Sequence, residues 1–157
     1  MDEPGITGSA QLNHSRIREL DVQAFIKAVI DRCHEIMDAH GERVFFGHAD
    51  PDTEMPYLVI TSLDPMELER QSDGDVIENR PCMFTVYDEN PDTATDILKL
   101  IENSFEGMLL VLSEGKCLGA YQVSSNVTDD SDRDDDGKEV FQGISLFDFH
   151  VQRSLVS

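Results

Sequence analysis

The sequence feature that most constrains the fold is a run of apolar residues spaced by three and four positions. The run consists of Val22, Phe25, Ile26, Val29, Ile30, Cys33, Ile36 and Met37. This spacing places all of them on one stripe of an α-helix, and such a stripe must be buried against another element. Asp21 is a suitable N-cap, and Gly41 stands where a left-handed C-terminal cap would. The sequence therefore predicts an amphipathic helix that packs on a second layer.

A second helix is predicted to begin at Asn90-Pro91-Asp92, which supplies a cap, a proline at the first helical position and an acid in the first turn. Its apolar stripe consists of Ala94, Ile97, Leu98, Ile101 and Phe105. Gly107 is predicted to end it.

Five segments rich in β-branched and aromatic residues predict strands. They are Arg43–Phe46, Tyr57–Thr61, Val76–Tyr87, Cys117–Val127 and Glu139–Arg153. Pro81 indicates a bulge or an edge position within the third strand, because proline cannot donate to the ladder. The mixed composition of Leu63–Asp75 predicts a long loop or an irregular hairpin tip.

The resulting element order is α-β-β-β-α-β-β. Connections between successive strands are short, which favours an α+β fold with a mainly antiparallel mixed sheet and both helices packed on one face. A chain of 157 residues usually forms one domain. We expect residues 1–19 to be a flexible N-terminal lead-in and residues 20–157 to form a single α+β domain.

The strongest compositional bias is negative charge. Asp and Glu total 32 against 12 Lys and Arg, so the formal net charge is −20. Proteins that bind the phosphate backbone do so largely through Lys and Arg, which displace counterions. Charge-driven binding to nucleic acid or to anionic lipid is therefore not expected.

Three cysteines, Cys33, Cys82 and Cys117, are widely spaced and form no CxxC pair. This pattern predicts buried free thiols rather than a disulfide framework or a zinc site. The sequence contains no run of about 18 apolar residues and no secretory signal pattern, so neither a membrane span nor secretion is expected.

An acidic segment, Asp129–Asp136, resembles the first half of a calcium-binding loop. Asp132, Asp134 and Asp136 stand at alternate positions before Gly137, where their carboxylates could converge on a hard cation. The twelfth position of the loop, normally a bidentate Glu, is Gly143, and the flanking segments predict strands rather than helices. We interpret the segment as a solvated loop and retain a weak divalent-cation site as the alternative.

Catalytic motifs are not recognisable in the sequence. His34 and Glu35 begin an HExxH pattern, but Asp38 occupies the second histidine position, so His34 is interpreted as a boundary residue on the helix. No G-x-S-x-G elbow, Walker loop or G-x-G-x-x-G is present. We therefore expect a protein that is not an enzyme and needs no cofactor.

Three stretches of the sequence combine these helices and strands in a recognisable order: AFIKAVIDRCHEIMDAHGERVFFGHADPDTEMPYLVIT, CMFTVYDENPDTATDILKLIENSF and EVFQGISLFDFHVQR. In these stretches the chain resembles the tail-terminator and head–tail joining proteins of tailed bacteriophages and prophages. The resemblance implies a structural protein that forms a closed ring, commonly a hexamer, which caps the tail tube or joins tail to head. The implied partners are further copies of the chain, the tail tube and head-completion proteins, with DNA only as cargo through the channel. The implied location is the virion, or the host cytoplasm during assembly.

A head-to-tail ring needs two different complementary patches on each subunit. Leu63, Met66 and Leu68 are apolar residues on the predicted loop, and we expect them at a subunit contact. The alternative function is a small acidic cytoplasmic binding or regulatory module, with weak divalent-cation binding through Asp129–Asp136.

Overall fold

The computed structural model describes residues 23–72, 74–107, 109–112, 115–129 and 139–154. These residues form two α-helices and a mixed six-stranded sheet, which confirms the predicted α+β class. The elements are α1 (23–36), β1 (Val44–Phe46), β2 (Tyr57–Ser62), β3 (Met66–Arg70), β4 (Asp75–Asp88), α2 (Pro91–Phe105), β5 (Lys116–Asp129) and β6 (Phe141–Ser154).

The helix ends follow the predicted capping chemistry. Asn90 caps α2, because its side-chain oxygen accepts a hydrogen bond from the backbone N–H of Asp92 at 2.8 Å. After α1 a short 3₁₀ turn, Asp38–His40, ends at Gly41, whose φ of 92° is the predicted left-handed cap. The predicted N-cap of α1, Asp21, lies outside the described residues.

The strands lie in the order β1-β2-β4-β6-β5. Within the described part of the chain, β1 and β2 pair in parallel and the other pairs are antiparallel, in agreement with the predicted mainly antiparallel mixed sheet. Both helices bury their apolar stripes on one face of this sheet. Phe25 of α1 contacts Phe149 edge-on at 5.3 Å between ring centroids, and Phe105 of α2 contacts the same ring at 5.5 Å. The two helices therefore share one continuous aromatic core, centred on β4 and β6.

The segment Leu63–Asp75, predicted as a loop or hairpin tip, contains the additional strand β3. This strand pairs antiparallel with the first half of β4, and the N–H of Gln71 donates a hydrogen bond to the Asp75 carbonyl where the two strands meet. All five of its residues are exposed. Backbone pairing rather than burial therefore defines the strand, which explains why its sequence lacks the alternation of a half-buried strand.

The bulge predicted as one possibility at Pro81 is absent, because the register of β4 with β6 is continuous through Pro81. The other possibility, an edge position, holds only locally, because β4 is a central strand. On its other side, β4 pairs with β2 up to Cys82 and with β3 from Asn79. Pro81 lies in the gap between these two partners, where its carbonyl accepts a hydrogen bond from the N–H of Leu63. The missing N–H of the proline falls where no strand needs a donor.

Candidate interaction surface

Strands β2 and β3 follow one another along the same side of β4. Residues 57–70 therefore form one arm of a long hairpin that is interrupted only at residues 63–65. Among the described residues, no strand pairs with β3 on its outer side. An unpaired edge presents backbone donors and acceptors to any approaching chain, which makes β3 a candidate contact site.

The three residues predicted at a subunit contact lie in this part of the hairpin and are exposed. The exposed fractions are 38% for Leu63, 59% for Met66 and 47% for Leu68. Leu68 lies at a β-bulge between Glu67 and Glu69. The Glu67 carboxylate is 2.7 Å from the Arg70 guanidinium, which offsets part of the negative charge of the strand. The hairpin therefore offers exposed apolar side chains on an otherwise strongly acidic protein.

A buried cluster of three charged residues lies at the base of this hairpin. Glu78 and Arg80 of β4 and Arg153 of β6 are only 4%, 3% and 6% exposed. One oxygen of Glu78, Oε1, accepts a hydrogen bond from Nε of Arg80 at 2.7 Å and is 3.2 Å from Nε of Arg153. The Arg80 guanidinium also lies over the Phe25 ring at 5.5 Å, a cation–π distance. The cluster links β4, β6 and α1 at the level of the sheet where β3 pairs with β4.

The electrostatics of this cluster favour the ionised state of Glu78. Burial raises the pKa of the Glu78 carboxyl, but the hydrogen bonds and charges of Arg80 and Arg153 outweigh burial and lower the pKa below its ordinary value. The carboxylate is therefore charged at neutral pH. Two guanidinium groups contact it and compensate its charge, within a chain of net charge −20.

The opposite edge of the sheet is formed by β5, which has an unusual composition for this protein. Residues 117–128 include no charged side chain, although 28% of the chain is charged. Leu118, Tyr121 and Val123 expose 37%, 47% and 54% of their surfaces. Edge strands usually carry charges or proline that discourage pairing with other chains. β5 lacks both over this stretch and depends on two bulges, at 117/119 and 122/124.

The C-terminal end of α2 covers part of this edge. Gly107 donates its backbone N–H to the Ala120 carbonyl at 2.8 Å, and the Gln122 N–H donates to the Glu106 carboxylate at 2.7 Å. These bonds satisfy the outer edge at residues 120–122. Beyond them, residues 123–129 are exposed at every position except the half-buried Val127. Among the described residues, no strand pairs with the outer edge of this second half, which is called the free edge of β5 below.

The other residues considered from the sequence do not assemble a site in the described part of the chain. Asp132, Asp134 and Asp136 lie outside the described residues. Among the residues that are described, no group of three or more His, Cys, Asp or Glu side chains could hold a metal ion. His34 is partly exposed on α1, 3.6 Å from a Glu42 oxygen, as expected of a boundary residue. None of the helices described here is long and apolar enough to cross a membrane.

The three cysteines are free and buried, as predicted. Burial raises the pKa of the Cys33 thiol well above its usual value, with a smaller contribution from Cys82. Burial likewise raises the pKa of Cys82 to about 12. Thiols with such pKa values are protonated at neutral pH and react slowly.

Comparisons with known proteins show a likeness in fold but no match in sequence. Neither a family model nor a curated protein sequence matches the chain. Among solved structures, the chain is similar to a chain of the structure described as "Virion of native gene transfer agent (GTA) particle". The TM-score is 0.55 and the identity 13%, over 74% of this chain and 84% of that chain. At this identity the likeness establishes a common fold.

Proposed function

We propose that this protein is a structural component of a phage or phage-like particle. In this proposal the chain forms a closed ring, hexameric as the resemblance implies, that caps the tail tube or joins the tail to the head. The observation that carries the proposal is the fold shared with a chain of the gene transfer agent virion over most of both chains. The resemblance of the sequence to tail-terminator and head–tail joining proteins points to the same role.

The role is steric rather than catalytic. A ring ends the growth of a tube and leaves an open channel, and neither task needs a reactive side chain. The net charge of −20 suits a channel for DNA, because carboxylates on the wall prevent phosphate contacts. Screening limits this repulsion to about 8 Å at physiological ionic strength, so only acids that line the channel contribute.

One of the two patches that ring closure needs is the exposed hairpin segment with Leu63, Met66 and Leu68. These side chains are apolar and solvent-exposed in the isolated chain, so burying them against a neighbour is favourable by about 25 cal/mol per Å² of apolar surface. The exposed backbone edge of β3 lies in the same patch, so a contact here can combine apolar burial with hydrogen bonds.

Particle composition tests the role directly. Particles purified from a producing culture are analysed by mass spectrometry, and an antibody with a gold label locates the chain by electron microscopy. We expect the chain in intact particles, with the label at the end of the tail that meets the head. Absence of the chain from particles, or a label elsewhere on them, would contradict the proposal.

A paired substitution tests the hairpin patch. Met66→Asp with Leu68→Asp is compared with Leu109→Asp and Val111→Asp, a matched control because Leu109 and Val111 are 62% and 92% exposed. Light scattering measures the mass of each variant over a range of concentrations. We expect the hairpin variant to lose the oligomer that the control retains, with both melting temperatures close to wild type, since exposed positions seldom change stability by more than about 0.5 kcal/mol. An unchanged oligomer in the hairpin variant would exclude this patch.

A further inference from the structure

The strand registers show which parts of the two outer edges lie at the same level of the sheet. Val44 pairs with Leu58, Leu58 with Val86, Val86 with Gly143 and Gly143 with Val127. The same count across the sheet, through Ile60, Phe84 and Ser145, leads from Phe46 to Ser125. The outer edge of β1 and the free edge of β5 therefore lie at the same level on opposite edges of the sheet.

The directions of these two strands also match. β1 runs parallel to β2, and both run antiparallel to β4. β6 is antiparallel to both β4 and β5, so β4 and β5 run in the same direction. β1 and β5 consequently run in opposite directions. A second copy, related by rotation about an axis along the strands, would present its β1 antiparallel to β5 of the first, the more stable strand pairing.

The side chains beside β1 form an apolar groove. Ile26 and Ile30 of α1 and Phe46 of β1 line it together with Gln23 and Lys27, around a volume of about 360 Å³. Phe46 is 47% exposed. A strand added at β1 would lie beside this groove and cover Phe46. On β5, Ser125 and Val127 lie on the helix-bearing side of the sheet, because they pair with Ser145 and Gly143 of the core face.

We propose that the sheet continues from one copy of this chain into the next, with the free edge of β5 paired antiparallel to β1 of a second copy. This inference rests on the proposed ring and names the strands that close it. The two edges differ, so the contact is head-to-tail and propagates around a ring instead of ending at a dimer. The absence of charge over residues 117–128 suits a partner that is itself strongly negative, because copies of this chain repel one another wherever carboxylates meet.

Charge complementarity at the same level supports a second copy as the partner. Register counting through Ile77 and Gln152 places Glu69 of β3 level with Lys116 of β5. Both residues are exposed. Suppose that β1 of one copy lies beside β5 of another. β3 of the first copy is then one strand position further from that β5 than β1 is, so β3 and β5 are about 9.6 Å apart. The long side chains of Glu69 and Lys116 can meet across that gap, beside the exposed Leu68.

Site-specific crosslinking of the full chain tests this pairing. Phe46→Cys and Ser125→Cys are introduced together, and the protein is oxidised mildly and examined on non-reducing gels. Within one copy the two positions are four strand spacings apart, roughly 19 Å, too far for a disulfide. Across an antiparallel pair the Cα atoms approach to about 4.5–5.5 Å, within disulfide range. The native cysteines are buried and should not take part in the crosslinking.

We expect the double variant to give a ladder of covalent oligomers that ends at the ring, whereas each single variant gives monomer and little dimer. The matched control combines Phe46→Cys with Leu118→Cys, an exposed position on β5 but far from the level of Phe46, and should not crosslink. An oligomer in light scattering without the ladder, or equal crosslinking in the control, would overturn the β1–β5 pairing and leave the ring role in place. A monomer at every concentration, without crosslinks, would also overturn it, because the chain would then not pair with itself. The proposed role is decided separately by particle composition.

Discussion

The buried cluster of Glu78, Arg80 and Arg153 gives the sharpest test of the energetics of this fold. The substitution Glu78→Gln keeps the shape of the side chain and removes its charge. Arg80 and Arg153, 3% and 6% exposed, then remain buried and positively charged but have lost the Glu78 carboxylate. Removal of one partner from a buried ion pair is strongly destabilising, because the remaining charge has lost its solvation without compensation.

The geometry sets the size of the effect. Glu78 Oε1 lies 2.7 Å from Nε of Arg80 and 3.2 Å from Nε of Arg153, so one oxygen serves both guanidinium groups. Breaking a buried pair costs about 3–5 kcal/mol. We expect Glu78→Gln to lose this amount from a total stability of about 5–15 kcal/mol, which for a domain of this size lowers the melting temperature by roughly 6–20 °C.

Urea denaturation followed by circular dichroism measures the free energy of unfolding, with Glu67→Gln as the matched control. Glu67 contacts Arg70 at 2.7 Å, but its side chain is 46% exposed, so its loss should cost less than about 1 kcal/mol. A second comparison replaces the whole cluster with Glu78→Leu, Arg80→Met and Arg153→Leu. Since no buried charge is then left unpaired, this variant should be more stable than Glu78→Gln.

The pH dependence of the difference between wild type and Glu78→Gln follows from the lowered pKa of Glu78. A carboxyl whose pKa is lower in the folded state stabilises the protein above its unfolded pKa, near the reference value of 4.5, and loses that contribution as the pH falls through the folded pKa. The stability difference should therefore be constant at neutral pH and shrink below about pH 4.5. If wild type and Glu78→Gln differed by less than about 1 kcal/mol in free energy of unfolding at pH 7, as expected for Glu67→Gln, the assumption of a desolvated ion pair would be refuted. The cluster would then behave as a solvent-exposed ion pair.

Two further predictions concern the helix cap and the thiols. Asn90→Ala removes the side-chain acceptor for the Asp92 N–H and should lower the free energy of unfolding by about 1 kcal/mol, measured by thermal or urea denaturation. Asn90→Ser should retain most of the stability, and equal losses in the two variants would show that the cap contributes little. Cys33 and Cys82, with raised pKa values, should react with a thiol reagent at pH 7.5 only in denaturant, and rapid labelling of the native protein at either residue would show that the core opens there.

Local signals in the sequence were sufficient for most of the fold. The helix caps at Asn90 and Gly41 depend on residues close to one another in sequence, and the structure has both. The alternation in β4 and β6 indicates one buried face on each strand, and the sheet follows that pattern. β3 could not be predicted in the same way, because it is held by backbone bonds to β4 and its exposed side chains show no pattern of burial.

The candidate surface was only partly predictable. Leu63, Met66 and Leu68 stood out as apolar residues on a polar segment, and their exposure in the structure agrees with that signal. Glu78 and Arg80 occupy the same alternating positions as Cys82, Phe84 and Val86, so the sequence did contain a sign that they point into the core. Arg153 as their partner depends on the register between β4 and β6, which no local pattern determines.

We expect the position of the hairpin edge to depend on the buried cluster, which would link stability to the proposed assembly. Among the described strands, β3 pairs with β4 alone, and at the same level the Glu78 carboxylate binds Arg153 across the β4–β6 ladder. When Glu78 is neutral, the cross-strand attraction that holds this end of the sheet in place is lost. The proposed contact at Met66 and Leu68 would then weaken although neither side chain has changed. We expect substitutions at Met66 and Leu68 to act on the proposed assembly alone, because those side chains are exposed. Glu78→Gln should therefore lose both stability and assembly, whereas the hairpin variant should lose assembly alone. That difference would distinguish the buried residues that position the hairpin from the exposed residues that make the contact.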